Sequence, residues 1–228
     1  MGLGPGRASV TVLVTRPQPE ANGTARRLRE KGHDVLVSPL LDIEPLPFAP
    51  PGRAFDAHLV TSPRAVAALE RLPPRPAFCV GEATGARVSD MGRTVTVAPD
   101  ARRLAGRIRE ARPGSVLHAA GAERAFDMEG ALAPHGITVE TLVVYRANPL
   151  PLTGEVARAL REGSVEAVLL TSPRIARLFA EAWTALDTHG APRCLALSPA
   201  VAEALHAAPK LMAEVAVEPN ETALLDLV

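Results

Sequence analysis

A four-residue phrase, Thr-Ser-Pro-Arg, occurs twice in this chain, at 61–64 and 171–174, each time between an apolar run and a helical pattern. The flanks match as well: "DAHLVTSPRAV" stands over "EAVLLTSPRIA" at an interval of 110 residues. "VTVLVTRPQPEANGTARRLREKGHDV" aligns with "GSVLHAAGAERAFDMEGALAPHGITV", setting Gly32 against Gly136, and "FCVGEATGARV" aligns more loosely with "CLALSPAVAEAL". Such a period is the size of a domain and far longer than a solenoid repeat. The 228 residues therefore read as two copies of one α/β layout, each large enough to bury a core.

Short β-branched runs alternate with helical periodicity, which predicts parallel sheets covered on both faces. Strands are expected at 10–16, 33–40, 56–61, 77–80, 94–98, 115–119, 138–145, 166–171, 193–197 and 213–217. A helix over 19–31 puts Ala21, Ala25 and Leu28 on one face and stops at Gly32. The chain is expected to cross between its lobes in the proline-rich stretch 38–51 and again at "NPLP", 148–151. Proline there removes donors and stiffens an extended path. Two crossings make one lobe discontinuous, 1–39 with 148–228, and leave 40–147 as the other.

Bulk properties exclude several classes. With 25 basic and 25 acidic residues the net charge is zero, so no global field draws nucleic acid or a membrane surface, and an anionic ligand must be held locally. Aromatic residues at 3 % are too few for base-stacking platforms. No run approaches the roughly 18 apolar residues of a membrane span. "MGLGPGRASV" lacks a signal-peptide core, so cytoplasmic residence is expected, and its "GLGPG" reads as a tail because it precedes a strand. Cys79 and Cys194, both in apolar runs, are expected as reduced buried thiols. No metal ligand set is visible, and His33, His58, His118, His135, His189 and His206 show no spacing for metal ligation or a Ser/His pair. Each histidine is read as incidental. Nothing in the pattern requires more than a monomer.

Open parallel sheets bind ligands beyond the carboxyl ends of their strands, where loops lead into helix N-termini. Thr61-Ser62-Pro63-Arg64 sits at such an end, with Ser62 as helix cap, Pro63 at the first helical position and free N–H groups suited to an anion. Thr171-Ser172-Pro173-Arg174 repeats it, and paired sites would face a shared cleft. "VGEAT" is a further junction, in which Gly81 permits close backbone approach, Glu82 opens a helix and Thr84 offers a hydroxyl. "AAGAER" places Gly121 in a phosphate-type turn that lacks the full nucleotide-binding patterns. Arg16 ends the first strand, where it pairs with a ligand carboxylate or with a surface acid. Tyr145, the one tyrosine, stands at a crossing as either a neutral proton donor, its unperturbed pKa being about 10, or a structural strut.

In order and spacing, "VLVTRP", "LREKGHDVLVSPLLDIEPLP", "LVTSPRAV", "VGEAT", "ITVETLVVYRANP" and "LLTSPRIA" make this chain resemble the uroporphyrinogen-III synthases, from Val12 to the C-terminus. The resemblance implies two flavodoxin-like lobes joined by a two-stranded connection, the first built from both chain ends. It implies cofactor-free conversion of hydroxymethylbilane into uroporphyrinogen III, with loss of water and inversion of ring D through a spiro intermediate. Thr61, Ser62, Thr171 and Ser172 would then grip substrate carboxylates, and Tyr145 would act on the leaving hydroxyl. One turn departs from the family: Ser198-Pro199-Ala200-Val201 stands where Gly-x-x-Thr is expected. That departure keeps open a non-catalytic bilobal relative that binds a tetrapyrrole or another polyanion. A periplasmic-type binding protein is a third, disfavoured class.

Overall fold

The computed structural model describes residues 9–188 and 190–228; the "GLGPG" segment and His189 lie outside them. Eleven strands are seen among the described residues: β1 Thr11–Val14, β2 Asp34–Val37, β3 Leu41–Pro45, β4 Ala57–Val60, β5 Ala77–Val80, β6 Val95–Ala98, β7 Ser115–Gly121, β8 Thr138–Pro149, β9 Ala167–Leu170, β10 Arg193–Ala196 and β11 Ala213–Val215. The α-helices are α1 Glu20–Glu30, α2 Glu82–Ser89, α3 Ala101–Ala111, α4 Met128–Leu132, α5 Gly154–Arg161, α6 Pro173–Thr184, α7 Pro199–Glu203 and α8 Glu221–Leu225. The chain divides into two compact units: residues up to Asp42 with Asn148–Val228, and Ile43–Ala147.

The discontinuous unit holds a parallel sheet in the order β11-β10-β9-β1-β2. Counted along its own chain this is 2-1-3-4-5 read from the other edge, the flavodoxin order. The continuous unit has β6-β5-β4-β7-β8, with β3 added beyond β8. Setting β7 and β8 against β1 and β2, and β4, β5 and β6 against β9, β10 and β11, makes the two orders identical. The second sheet is the first with its opening pair moved to the end of the chain. The repeat therefore surfaces in sequence as offset blocks, and both Thr-Ser-Pro-Arg turns leave equivalent strands.

Parallel strands between helical layers bury both faces, and the central ones here do so completely. β4 and β9 are buried at every residue. Leu59 packs with Leu104, Ile108, Val116 and Leu132 on one side of the continuous unit's sheet, while Val60 joins Leu69, Cys79, Val88 and Leu117 on the other. In the discontinuous unit, Val12, Val14, Leu169 and Leu195 meet Leu28 of α1 and Leu224 of α8. Cys79 and Cys194 are free and buried; burial pushes their thiols up to about 11 and about 12.

The first proline-rich crossing contains β3, which pairs with β8, the strand that leads into the second. Leu46 N–H donates to the Val144 carbonyl and Leu150 N–H to the Leu40 carbonyl, both at 2.9 Å, so this pairing runs antiparallel. Proline tolerates an edge strand, where one side of the ladder needs no donor, and Pro45 closes β3. The two Thr-Ser-Pro-Arg turns also lead into different helices. Ser172 accepts from Ile175 N–H at 3.2 Å and opens α6. Ser62 accepts from Arg64 N–H at 3.3 Å and opens a 3-10 helix, Pro63–Arg71.

That 3-10 helix ends on a buried cation. Arg93 is 8 % exposed, and its guanidinium reaches the carbonyls of Leu69 (2.6 Å), Leu72 (3.0 Å) and Pro73 (3.1 Å) and His58 Nδ1 (2.9 Å). A guanidinium only donates, so His58 Nδ1 accepts and the ring is neutral with its proton on Nε2. Burial, with Arg93 and then Arg75, pushes the His58 pKa down to about 4. Arg93→Met removes the guanidinium from all four acceptors, of which the Leu69 carbonyl keeps only the Leu72 N–H, and we expect a loss of about 3 to 5 kcal/mol. Reduced amide-exchange protection across β4 and β5, with β1 and β9 retaining theirs, is the measurement that checks it.

Candidate active site

Strand order reverses between β4 and β7 in the continuous unit, and the carboxyl ends flanking such a reversal leave a crevice. A cavity of about 200 Å³ opens there, lined by Thr61, Ser62, His118, Gly121, Arg124 and Tyr145, among others. Each side chain is placed by its strand. β4 delivers Thr61 from a fully buried run. β7, in register with β4 so that Leu59 faces His118, carries His118 and Gly121. β8 carries Tyr145 opposite Gly121, after a register shift between Ala120 and Gly121.

The Gly121–Tyr145 pair is a close approach. A Cβ on Gly121 would lie 2.6 Å from Tyr145 Cζ and 2.9 Å from its hydroxyl oxygen. The ring occupies the space a side chain at 121 would need. Ala122 N–H donates to the Tyr145 carbonyl at 2.9 Å and fixes the backbone beneath it.

His118, which its sequence spacing alone marks as incidental, belongs to this cavity. It is 1 % exposed, and its Nε2 lies 3.1 Å from Thr61 Oγ1. Burial, and secondarily the Arg124 charge, push its pKa down to about 4, so the ring is neutral at pH 7. The signal was a polar residue inside the apolar run "VLHAA", since a buried polar group needs a partner. Naming that partner required knowing that β4 lies beside β7.

The other expected residues lie elsewhere. Pro63 and Arg64 begin the 3-10 helix outside the cavity lining. Gly81 adopts φ +78° ahead of α2, a conformation glycine takes without strain, and Glu82 comes next, exposed. Thr84 is buried at 2 %, so its hydroxyl is not displayed at the junction. In the discontinuous unit, Thr171, Ser172, Pro173 and Arg174 are half-buried where β9 enters α6. Ser198 precedes α7 without a capping bond from its side chain. Arg16 is held inside the unit, 3.1 Å from both Glu221 and Thr24 Oγ1. Glu221 also binds Arg27 and Thr24. Burial pulls its pKa up, but these hydrogen bonds and charges outweigh burial and leave it below its ordinary value. Among the described residues no group of three or more His, Cys, Asp or Glu could hold a metal ion. No helix among them is long and apolar enough to cross a membrane.

Residues 22–226 match the family described as Uroporphyrinogen-III synthase HemD. The chain belongs to the uroporphyrinogen-III synthase family. A uroporphyrinogen-III synthase of Chlorobaculum parvum is 29 % identical over 193 residues, covering 75 % of this chain and 78 % of that protein. The crystal structure of the Helicobacter pylori 26695 enzyme superposes with a TM-score of 0.66 at 21 % identity, over 96 % of this chain and 97 % of that one. A mutant uroporphyrinogen III synthase from Thermus thermophilus gives 0.65 at 18 % identity, over 96 % of each chain. At these identities the two structures speak for the α/β fold alone. Membership in the synthase family rests on the sequence match.

His58 and His118 both belong to the continuous unit, and their folded pKa values of about 4 lie below the ordinary 6.5. Between those values the unfolded chain binds the protons, so the stability these rings contribute is complete above pH 6.5 and lost as pH falls towards 4. In the discontinuous unit, Glu221 loses its contribution only below its ordinary value of 4.5. Acidification to about pH 5 is therefore expected to unprotect β4 and β7 in hydrogen exchange before the emission of Trp183, the single tryptophan, changes.

Proposed function

We infer that this chain is a uroporphyrinogen-III synthase, a cyclising hydro-lyase that closes hydroxymethylbilane into uroporphyrinogen III with ring D inverted and water expelled. The observation that carries the reaction is the family match across residues 22–226. What supports the mechanism is Tyr145, the only tyrosine, seated over Gly121 in a cavity at the strand reversal.

The cavity, at about 200 Å³, is below the roughly 300–1,000 Å³ of a site that engulfs a drug-sized ligand. That suits one substituted pyrrole ring with its acid arms rather than all four. Tyr145 donates a hydrogen bond to the hydroxymethyl oxygen as the C–O bond breaks, and the adjacent pyrrole nitrogen delocalises the positive charge left on carbon. The substituted carbon of ring D then attacks, the spiro centre forms, and fragmentation permits closure with the ring reversed. Thr61 and Ser62, with Arg124 on the same wall, meet acid arms by charge-assisted hydrogen bonds. Zero net charge agrees with anions being held at such local points. Since linear substrate closes unaided to the type I isomer, the enzyme's contribution is mainly geometric. Holding reacting carbons near attack distance can supply several kcal/mol, up to about 7 to 11.

Purified protein supplied with hydroxymethylbilane should yield the type III isomer once the products are oxidised and resolved. Type I alone at the uncatalysed rate would leave only a binding role. Tyr145→Phe is expected to lower kcat about a hundredfold with little change in KM, and unchanged turnover removes the acid role. Gly121→Ala, which forces the Tyr145 ring aside, should cost nearly as much. The two combined should cost no more than Tyr145→Phe alone, because both act on one hydroxyl.

A further inference from the structure

Tyr145 shares its cavity with a hydrogen-bonded pair to which the reaction as described assigns no joint role. His118 Nε2 and Thr61 Oγ1 are 3.1 Å apart, and both residues line the cavity. Only one proton can lie between those atoms, and its owner decides what Thr61 shows a ligand. If Nε2 carries the proton, it donates to Oγ1 and the threonine proton is released to point into the cavity as a donor. If Nδ1 carries it, the threonine donates to Nε2 and turns only lone pairs to the cavity, which repel a carboxylate.

We propose that His118 is a positioning residue that, as the Nε2–H tautomer, donates to Thr61 Oγ1 and so presents the threonine hydroxyl as a donor to a substrate carboxylate beside Tyr145. This rests on reading the chain as a synthase of an acid-bearing tetrapyrrole. Three observations converge on it. His118 is 1 % exposed on β7, in register with Leu59 of β4, so its ring has no room to turn away. Glu123 and Arg124 line the same cavity with opposite charges, so a carboxylate there depends on directed donors such as the Thr61 hydroxyl. Burial keeps His118 neutral at pH 7, so the position of its single ring proton decides which way the Thr61 hydroxyl turns. Anchoring one arm next to the group that assists water loss fixes which ring is activated and how it faces its attacker. The pair therefore also bears on which isomer forms.

The tautomer is read directly from nitrogen-15 NMR of histidine-labelled protein at pH 7, with His118→Gln assigning the signal. A neutral Nε2–H ring is expected; an Nδ1–H ring or an imidazolium overturns the proposal. Kinetics test the route through Thr61. His118→Phe and Thr61→Val are each expected to lower kcat/KM about tenfold, mainly through KM, and to raise the share of type I product. The double variant should match Thr61→Val, since His118 acts only through that hydroxyl. Additive losses, or a His118→Phe enzyme with wild-type kcat/KM and isomer ratio, sink the idea. His118→Gln, whose amide can place an N–H near the Nε2 position, should recover activity to within about threefold of wild type. It also serves if the phenylalanine variant does not fold, because a glutamine enzyme as impaired as Thr61→Val overturns the donor role. Wild-type protein that makes no type III isomer would instead sink the synthase reading, while leaving the tautomer measurement intact.

Discussion

Burial of both faces of two parallel sheets is the constraint on which everything else in the molecule depends. β4 and β9 spend every side chain on the core, so neither has one left for a ligand along its length. Chemistry is thereby pushed to the strand ends, and within each sheet to the place where neighbouring connections leave in opposite directions. In the continuous unit that place lies between β4 and β7. Thr61, His118, Gly121 and Tyr145 come from three separate strands, yet they meet because those strands are neighbours at the reversal.

The same constraint explains the form of the repeat. Equivalent strands have equivalent surroundings, so β4 and β9, each between two parallel partners, keep the same exit turn. β7 and β8 match β1 and β2 more loosely. The linker after β1 becomes the eleven-residue α1, whereas that after β7 becomes the five-residue α4 followed by a short 3-10 turn. Even the identical turns diverge downstream: one continues as an α-helix and the other as a 3-10 helix whose last carbonyls are taken by Arg93. Identity in four residues thus determines the cap but not the winding of the helix beyond it.

The alternation of strands and helices was legible because it depends on local periodicity, and so were the junctions, because serine caps and proline at the first helical position are local chemistry. What escaped depends on partners distant in sequence. β3 could not be read from local pattern, because its prolines argue against a central strand and are harmless at an edge paired only to β8; only the resemblance, with its two-stranded connection, implied such a strand. Gly121 was singled out, but for an anion turn; that its missing Cβ makes room for Tyr145 emerges only when β7 lies against β8. Arg16 was open to a ligand or a surface acid, and α8, more than 200 residues away, supplies the acid. His58 and His118 looked incidental because the relevant distances are across the sheet, where His58 faces Leu117 and Leu59 faces His118. On adjacent strands one residue out of step, the two rings point to opposite faces and serve different ends.

That division of labour illustrates how an uncharged chain can handle a polyacid. His58 braces a buried arginine whose charge is spread over three carbonyls, so it needs no carboxylate and projects no anion site to the surface. Arg16 and Arg27 are likewise matched by Glu221. Cations that serve the fold have their donors taken up where they stand. On the proposed function, the groups that meet substrate acids in the cavity are mainly hydroxyls, since the one guanidinium of its lining, Arg124, stands beside the carboxylate Glu123. Neutral donors hold a carboxylate through direction more than through charge, and direction is what a reaction with two competing ring closures requires.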